Sequence, residues 1–142
     1  MYDLLNRIDV RRAISPAAAT TDNTPIVSQI INLAGYDSCV FALLLGSLAD
    51  ADATFAVTMT HGSQANLSDG VAVPANNIEG SLALASFDFS DDNQERKVGY
   101  KGNKQYVQLT ITPSNNTGNV FIAATAILGN ARYAPTPATP AA

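Results

Sequence analysis

The chain has 142 residues, of which 46% are apolar and only 14% charged, and its net charge is −4. That length is enough for one hydrophobic core but not two, and no apolar run approaches the roughly 20 residues needed to span a bilayer as a helix. Residues 13–95 carry ten acids and no Lys or Arg, whereas residues 96–142 carry five bases and no acid, so the large acidic middle would repel a phosphate backbone and excludes bulk nucleic-acid binding.

In chain order, "MYDLLNRIDVRR" sets acids and arginines among its apolar residues, with neither the basic start nor the apolar stretch of a secretion signal. Residues 15–25, "SPAAATTDNTP", are small and turn-forming, so residues 1–25 read as an N-terminal arm, either a disordered tail or a strap that orders on a neighbour. Arg7, Arg11 and Arg12 lie close together in it, suited to bidentate pairing with carboxylates on a partner. Strand patterns occur at Asp9–Ile14, Ile26–Leu33, Cys39–Leu45, Thr54–His61, Val71–Val73, Ser81–Phe89, Arg96–Tyr100, Lys104–Thr112 and Val120–Leu128, separated by Gly, Asn, Asp, Ser and Pro clusters. The final "APTPATPAA" is biased toward extended polyproline II, giving a Pro-rich tail over residues 133–142 and a folded domain over 26–132.

Helical periodicity is nearly absent, and this many short strands predicts an all-β fold: an antiparallel β-sandwich of jelly-roll type. Phe55, Val57 and Met59 alternate with Thr and Ala, and Val107, Leu109 and Ile111 alternate with Tyr, Gln and Thr, so these strands have one wet face. "CVFALLL" and "VFIAATAIL" are apolar at both parities. They are either central strands covered on both sides or strands whose outer face meets another subunit. The second reading nominates Phe41, Leu43, Leu45, Phe121 and Ile127 for a homodimer interface, because a two-fold pair is the commonest way to close such a patch.

"RKVGYKGNKQYVQLTIT", Arg96 to Thr112, gathers half of the chain's eight Lys and Arg around two glycines. The spacing is not that of a phosphate-binding loop, and Tyr106 to Thr112 are β-branched and alternating, not helical. Gly102-Asn103 reads instead as a two-residue hairpin turn that would set Lys101 opposite Lys104, a like-charged pair calling for solvation or an acidic counterpart such as "DFSDDNQE" on this or a neighbouring copy.

Signals for chemistry are sparse. His61 is the only histidine and Cys39 the only cysteine, so neither a multi-histidine nor a cysteine zinc site can be built, and Cys39 reads as a buried thiol suited to a reducing cytosol. His61 shares parity with Phe55, Val57 and Met59, as a rim histidine capping the core would. Ser63, His61 and Asp69 lack a nucleophile elbow, and Asp50 and Asp52 fit a turn better than a calcium loop. No catalytic residue, metal or cofactor is expected. Tyr100, Tyr106 and Tyr133 could offer a sugar-stacking face, the basis of an alternative reading as a carbohydrate-binding or receptor-binding jelly roll, though without Trp.

"VGYKGNKQYVQLTIT" (Val98–Thr112), "AATAILGNARYAPTP" (Ala123–Pro137) and "FALLLGSLADADATFAVTMTHGS" (Phe41–Ser63) together resemble the jelly-roll cement, or decoration, proteins of short-tailed bacteriophages, in particular the Bordetella phage type. The resemblance implies a non-enzymatic virion protein made in the bacterial host cytoplasm, sitting on the outer surface of an icosahedral head. It also implies pairing with a second copy and clamping of neighbouring major capsid subunits, with no membrane and no direct nucleic-acid contact. Arg7, Arg11, Arg12, Lys101, Lys104, Arg132 and Tyr133 are the expected capsid-binding residues.

Overall fold

The computed structural model describes residues 3–137. Eleven strands form two layers: β1 (Asp9–Ile14), β2 (Ile26–Val27), β3 (Ile31–Asn32), β4 (Tyr36–Leu48), β5 (Thr54–Gly62), β6 (Val71–Ala72), β7 (Ile78–Glu79), β8 (Phe87–Asp88), β9 (Glu95–Tyr100), β10 (Tyr106–Ser114) and β11 (Val120–Ala131). The first sheet runs β1-β11-β4-β9-β7; the second has β10 and β5 at its centre, with β2 and β3 flanking β10 and β6 and β8 flanking β5. All pairings are antiparallel. Apart from β2–β3 and β5–β6, strands adjacent in sequence lie in opposite sheets, which makes the sandwich a jelly roll. Among the described residues, no helix is long and apolar enough to cross a membrane.

The core forms where the inward parities meet: Phe41, Leu43 and Leu45 from β4, Phe55, Val57 and Met59 from β5, Val107, Leu109 and Ile111 from β10, and Ala124, Ala126 and Leu128 from β11. Phe87 of β8 stacks on Phe55 with ring centroids 4.8 Å apart, closing one edge.

Three expectations require correction. Residues 9–14 are not part of a detached arm but the edge strand of the first sheet, in register with β11 from Asp9 opposite Leu128 to Ile14 opposite Ala124. The reason is their alternation, which turns Asp9, Arg11 and Ala13 toward the core side and Val10 and Arg12 outward. The chain is tied down on either side as well: Thr20 and Val120 exchange backbone hydrogen bonds, and the start of the Pro-rich segment is held where Thr136 donates its N–H to the Asn6 carbonyl and its hydroxyl to the Ile8 carbonyl. Of the Pro-rich tail expected over 133–142, residues 138–142 lie outside the described residues.

Ser81–Phe89 is not one strand. Ser81 Oγ accepts the Leu84 N–H at 3.0 Å and caps a single helical turn, α1 (Leu82–Ala85), before β8 begins. The Gly102-Asn103 hairpin is also absent, because β9 pairs with β4 and β7 while β10 pairs with β2, β3 and β5. Gly102 is not among the glycines at positive φ, Lys101 N–H donates to the Asn77 carbonyl, and Lys104 N–H donates to the Tyr100 hydroxyl. The segment is a crossover between layers: the apolar faces of β9 and β10 are buried against opposing strands of one core, which a flat hairpin would not allow.

Candidate functional site

The outer face of the first sheet is apolar at its centre. Adjacent strands set Val10, Ile127, Val40 and Gly99 in one row across it, Arg12, Thr125, Ala42 and Lys97 in the next, and Ala123, Leu44 and Glu95 in a third. Leu44 is 64% exposed, Val10 46% and Phe121 43%. Hollows of about 660 and 430 Å³ lie along the β4–β11 seam. Gly46 lets the strands close beside Phe121, since a Cβ there would lie 3.1 Å from the Phe121 Cβ and carbonyl oxygen.

The five residues expected at a dimer interface are therefore divided. Phe121 and Ile127 lie on this outer face, but Phe41, Leu43 and Leu45 point into the core and cannot meet a second subunit. Their outward neighbours Val40, Ala42 and Leu44 take their place. Side-chain volume in "CVFALLL" carries the missed signal: the bulkier phase fills the core, the smaller phase faces out.

The expected capsid-binding cations have different partners. Arg11 is engaged within the chain, with Nε and Nη2 on Asp9 Oδ2 at 2.9 and 2.7 Å, and the Tyr36 hydroxyl donates to the same oxygen at 2.9 Å. Burial pushes the Asp9 carboxyl upward, but the hydrogen bonds from Arg11 and Tyr36 outweigh it and hold the group below its ordinary value. Arg12 sits on the outer face with Nη1 on Ser15 Oγ. Among the described residues, Lys101 and Arg132 make only long, exposed ion pairs, to Glu79 at 3.9 Å and Asp37 at 3.8 Å.

Lys104 and Arg132 line a cleft of about 460 Å³ between the β3–β4 turn and the 101–105 crossover, together with Asp37, Asn103 and Gln105. Tyr133, 87% exposed, comes directly after Arg132, and Arg7 lines a neighbouring hollow that shares Ser38 with the cleft. This end of the sandwich thus collects Arg7, Lys101, Lys104, Arg132 and Tyr133. The acidic segment Asp88–Glu95 is at the other end, with Asp91 paired to Arg96 at 2.9 Å and Asp92 accepting the Leu48 N–H. It cannot be the counterpart of Lys101 and Lys104 within one chain.

His61 is buried at the top of the core with Nδ1 2.8 Å from the Tyr100 hydroxyl, not on a serine or aspartate. Asp69 accepts the backbone N–H groups of Ser63 and Gln64, and these hydrogen bonds depress its carboxyl. Asp50 accepts from both the N–H and the hydroxyl of Thr117, which pins the β4–β5 turn to the β10–β11 turn. Among the described residues no group of three His, Cys, Asp or Glu side chains could hold a metal. Burial pushes the Cys39 thiol up to about 12. Tyr100 is buried, Tyr106 lies on the outer face of the second sheet and Tyr133 lies beyond the end of β11, so the three rings do not share one platform.

No family model matches the chain, and no curated protein does. Among solved structures, it is similar to a Clostridium thermocellum endo-1,4-beta-D-xylanase 10B structure containing CBM22-1 and GH10 modules, with 12% identity and a TM-score of 0.46 over 92% of this chain and 26% of that one, so this chain spans about a quarter of that length. A xylan-binding module CBM15 gives 12% identity and a TM-score of 0.42, covering 93% of this chain and 96% of that one. The C-terminal family 22 carbohydrate binding module of the same xylanase gives 10% identity and a TM-score of 0.39, covering 89% of each. At these scores the likeness assigns no ligand to this chain.

Proposed function

We propose that this chain is a non-enzymatic structural protein that docks onto other protein, in the role of a capsid cement protein on the outside of an icosahedral phage head. The observation that carries the reading is the outer face of the first sheet, where Leu44, Val10 and Phe121 stand exposed on a broad surface of small residues. Such a patch is covered by a partner more often than left in water. A second copy fits it: a two-fold axis crossing the strands between the Ala42 and Leu44 rows would set Leu44 of one copy over Ala42 of the other. The same axis would pair Lys97 with Glu95 in both directions. The end bearing Arg7, Lys104, Arg132 and Tyr133 is then left to meet the major capsid protein. Weighing copies of this chain against the major capsid protein in purified particles tests the role; a fixed, repeating ratio is expected, and absence from the particle removes the reading.

A carbohydrate-binding role is the second reading, favoured by the cleft whose Asp37, Asn103, Gln105 and Arg132 are the kind of side chains that grip sugar hydroxyls. Glycan-array binding by the isolated protein that is abolished by Asp37→Ala would replace the first reading with this one.

A further inference from the structure

We propose that His61 and Tyr100 form an acid-released latch that holds the 101–105 crossover, and with it one wall of the Lys104–Arg132 cleft, against the core. Tyr100 is the last residue of β9 and its ring is buried, standing edge-on to the His61 imidazole with centroids 5.6 Å apart. Its hydroxyl accepts the Lys104 N–H at 3.1 Å and lies 2.8 Å from His61 Nδ1. A phenol has one proton to give. Among the described residues Nδ1 is the one acceptor within hydrogen-bonding distance of this buried hydroxyl, so the phenol donates to a bare Nδ1, and the closed latch requires a neutral imidazole.

The crossover is shaped around this phenol. A Cβ on Gly102 would lie 2.5 Å from Tyr100 Cζ, so the chain passes over the ring at a distance only glycine allows. Protonation of His61 places an N–H where the phenol proton now points and leaves that proton without its acceptor. The new cation would be poorly compensated. Its register neighbours Val107 on β10 and Val71 on β6 are apolar, the Lys104 ammonium is a like charge, and the one opposing group, Asp69, already accepts from two backbone amides. Burial first, and Lys104 second, accordingly push the imidazole below its ordinary value against a smaller opposing pull from Asp69. The latch is therefore closed above the ordinary histidine value of 6.5 and loses its support as pH falls toward the lowered one. What opens is the segment carrying Lys101 and Lys104, so acid would rearrange the cationic end while the two sheets stay paired.

Because His61 is the only histidine, its ring signals in an NMR titration are unambiguous. Amide hydrogen exchange, expressed as protection factors, should be tracked in parallel between about pH 8 and pH 4.5. Protection of the Lys104 amide, which donates to the Tyr100 hydroxyl, should fall by roughly tenfold or more as the ring titrates, while amides of β4 and β11 keep theirs. In His61→Gln, whose amide oxygen can still accept from the phenol, the crossover should stay protected throughout, and Tyr100→Phe should expose the Lys104 amide at every pH. The proposal is overturned if the ring titrates with the crossover unchanged, if it does not titrate in this range, or if all amides lose protection together.

Discussion

Arg11 closes back on Asp9 two residues earlier in the same edge strand, both contacting guanidinium nitrogens meeting a single carboxylate oxygen that also takes the Tyr36 hydroxyl. The carboxylate side chain is almost fully buried and that of Arg11 30% exposed, so the pair contributes to the stability of the isolated fold. Arg11→Ala should destabilise the isolated protein by about 2 kcal/mol, less than the 3–5 typical of a fully buried pair, because part of the charge is already in water. Arg12→Ala, losing only the bond to Ser15, should stay within about 0.5 kcal/mol. Urea unfolding of the two variants would show the contrast; equal effects would refute it.

The same cluster sets an acid limit. A carboxyl whose folded value lies below its ordinary 3.8 contributes stability that is fully present above 3.8 and is lost as pH falls through the lowered value. Global stability measured by denaturant midpoint should therefore drop in this acid range, and Asp9→Asn should flatten that drop. The histidine contribution falls in a separate window below 6.5.

Gly102→Ala tests the crossover geometry. The added methyl must displace the Tyr100 ring, whose hydroxyl is held on both sides, so a cost of about 1–3 kcal/mol is expected from overpacking. In a Tyr100→Leu background the clash is gone and most of the cost should vanish. A double-mutant cycle measures this directly.

The sandwich is legible in the sequence because alternation is a local property: Thr54–His61 and Asp9–Ile14 can be read almost to the residue from which side chains are apolar. The illegible part comes from pairing at a distance. Gly102-Asn103 has the composition of a hairpin turn, yet β9 finds its partners in β4 and β7, and nothing within the local segment encodes that choice. The arm misleads for a related reason. Arg11 reads as a free cation until Asp9 and Tyr36, the latter 25 residues further on, are seen to meet it. "SLALASFDF" alternates as a strand does, but Ser81 satisfies the Leu84 amide and turns the chain into α1 instead.

Leu43 and Leu44 are adjacent and chemically identical, but one is 1% and the other 64% exposed. Leu43→Ala should cost about 2–5 kcal/mol through lost burial and the cavity left behind. Leu44→Ala should cost no more than about 0.5 kcal/mol in the isolated chain. Similar losses at the two positions would mean that the phase of β4 is reversed.

The outer face then allows docking to be separated from folding. Leu44→Lys combined with Phe121→Lys puts two charges on a surface already exposed in the lone sandwich, so the melting temperature should change little. Covering those charges with an apolar partner would instead require their desolvation, at a cost of several kcal/mol for each one left unpaired. If a second copy covers this face, sedimentation of the parent at tens of micromolar should show a dimer and the double variant a monomer. Charge reversal gives the finer test: Lys97→Glu should weaken pairing by placing two carboxylates opposite each other across the two-fold, and adding Glu95→Lys in the same chain should restore it, because the reciprocal pairs re-form with their signs exchanged. Loss without restoration would keep the face as a docking surface but reject the proposed two-fold register. Unchanged sedimentation in all three variants would remove the face from any self-contact.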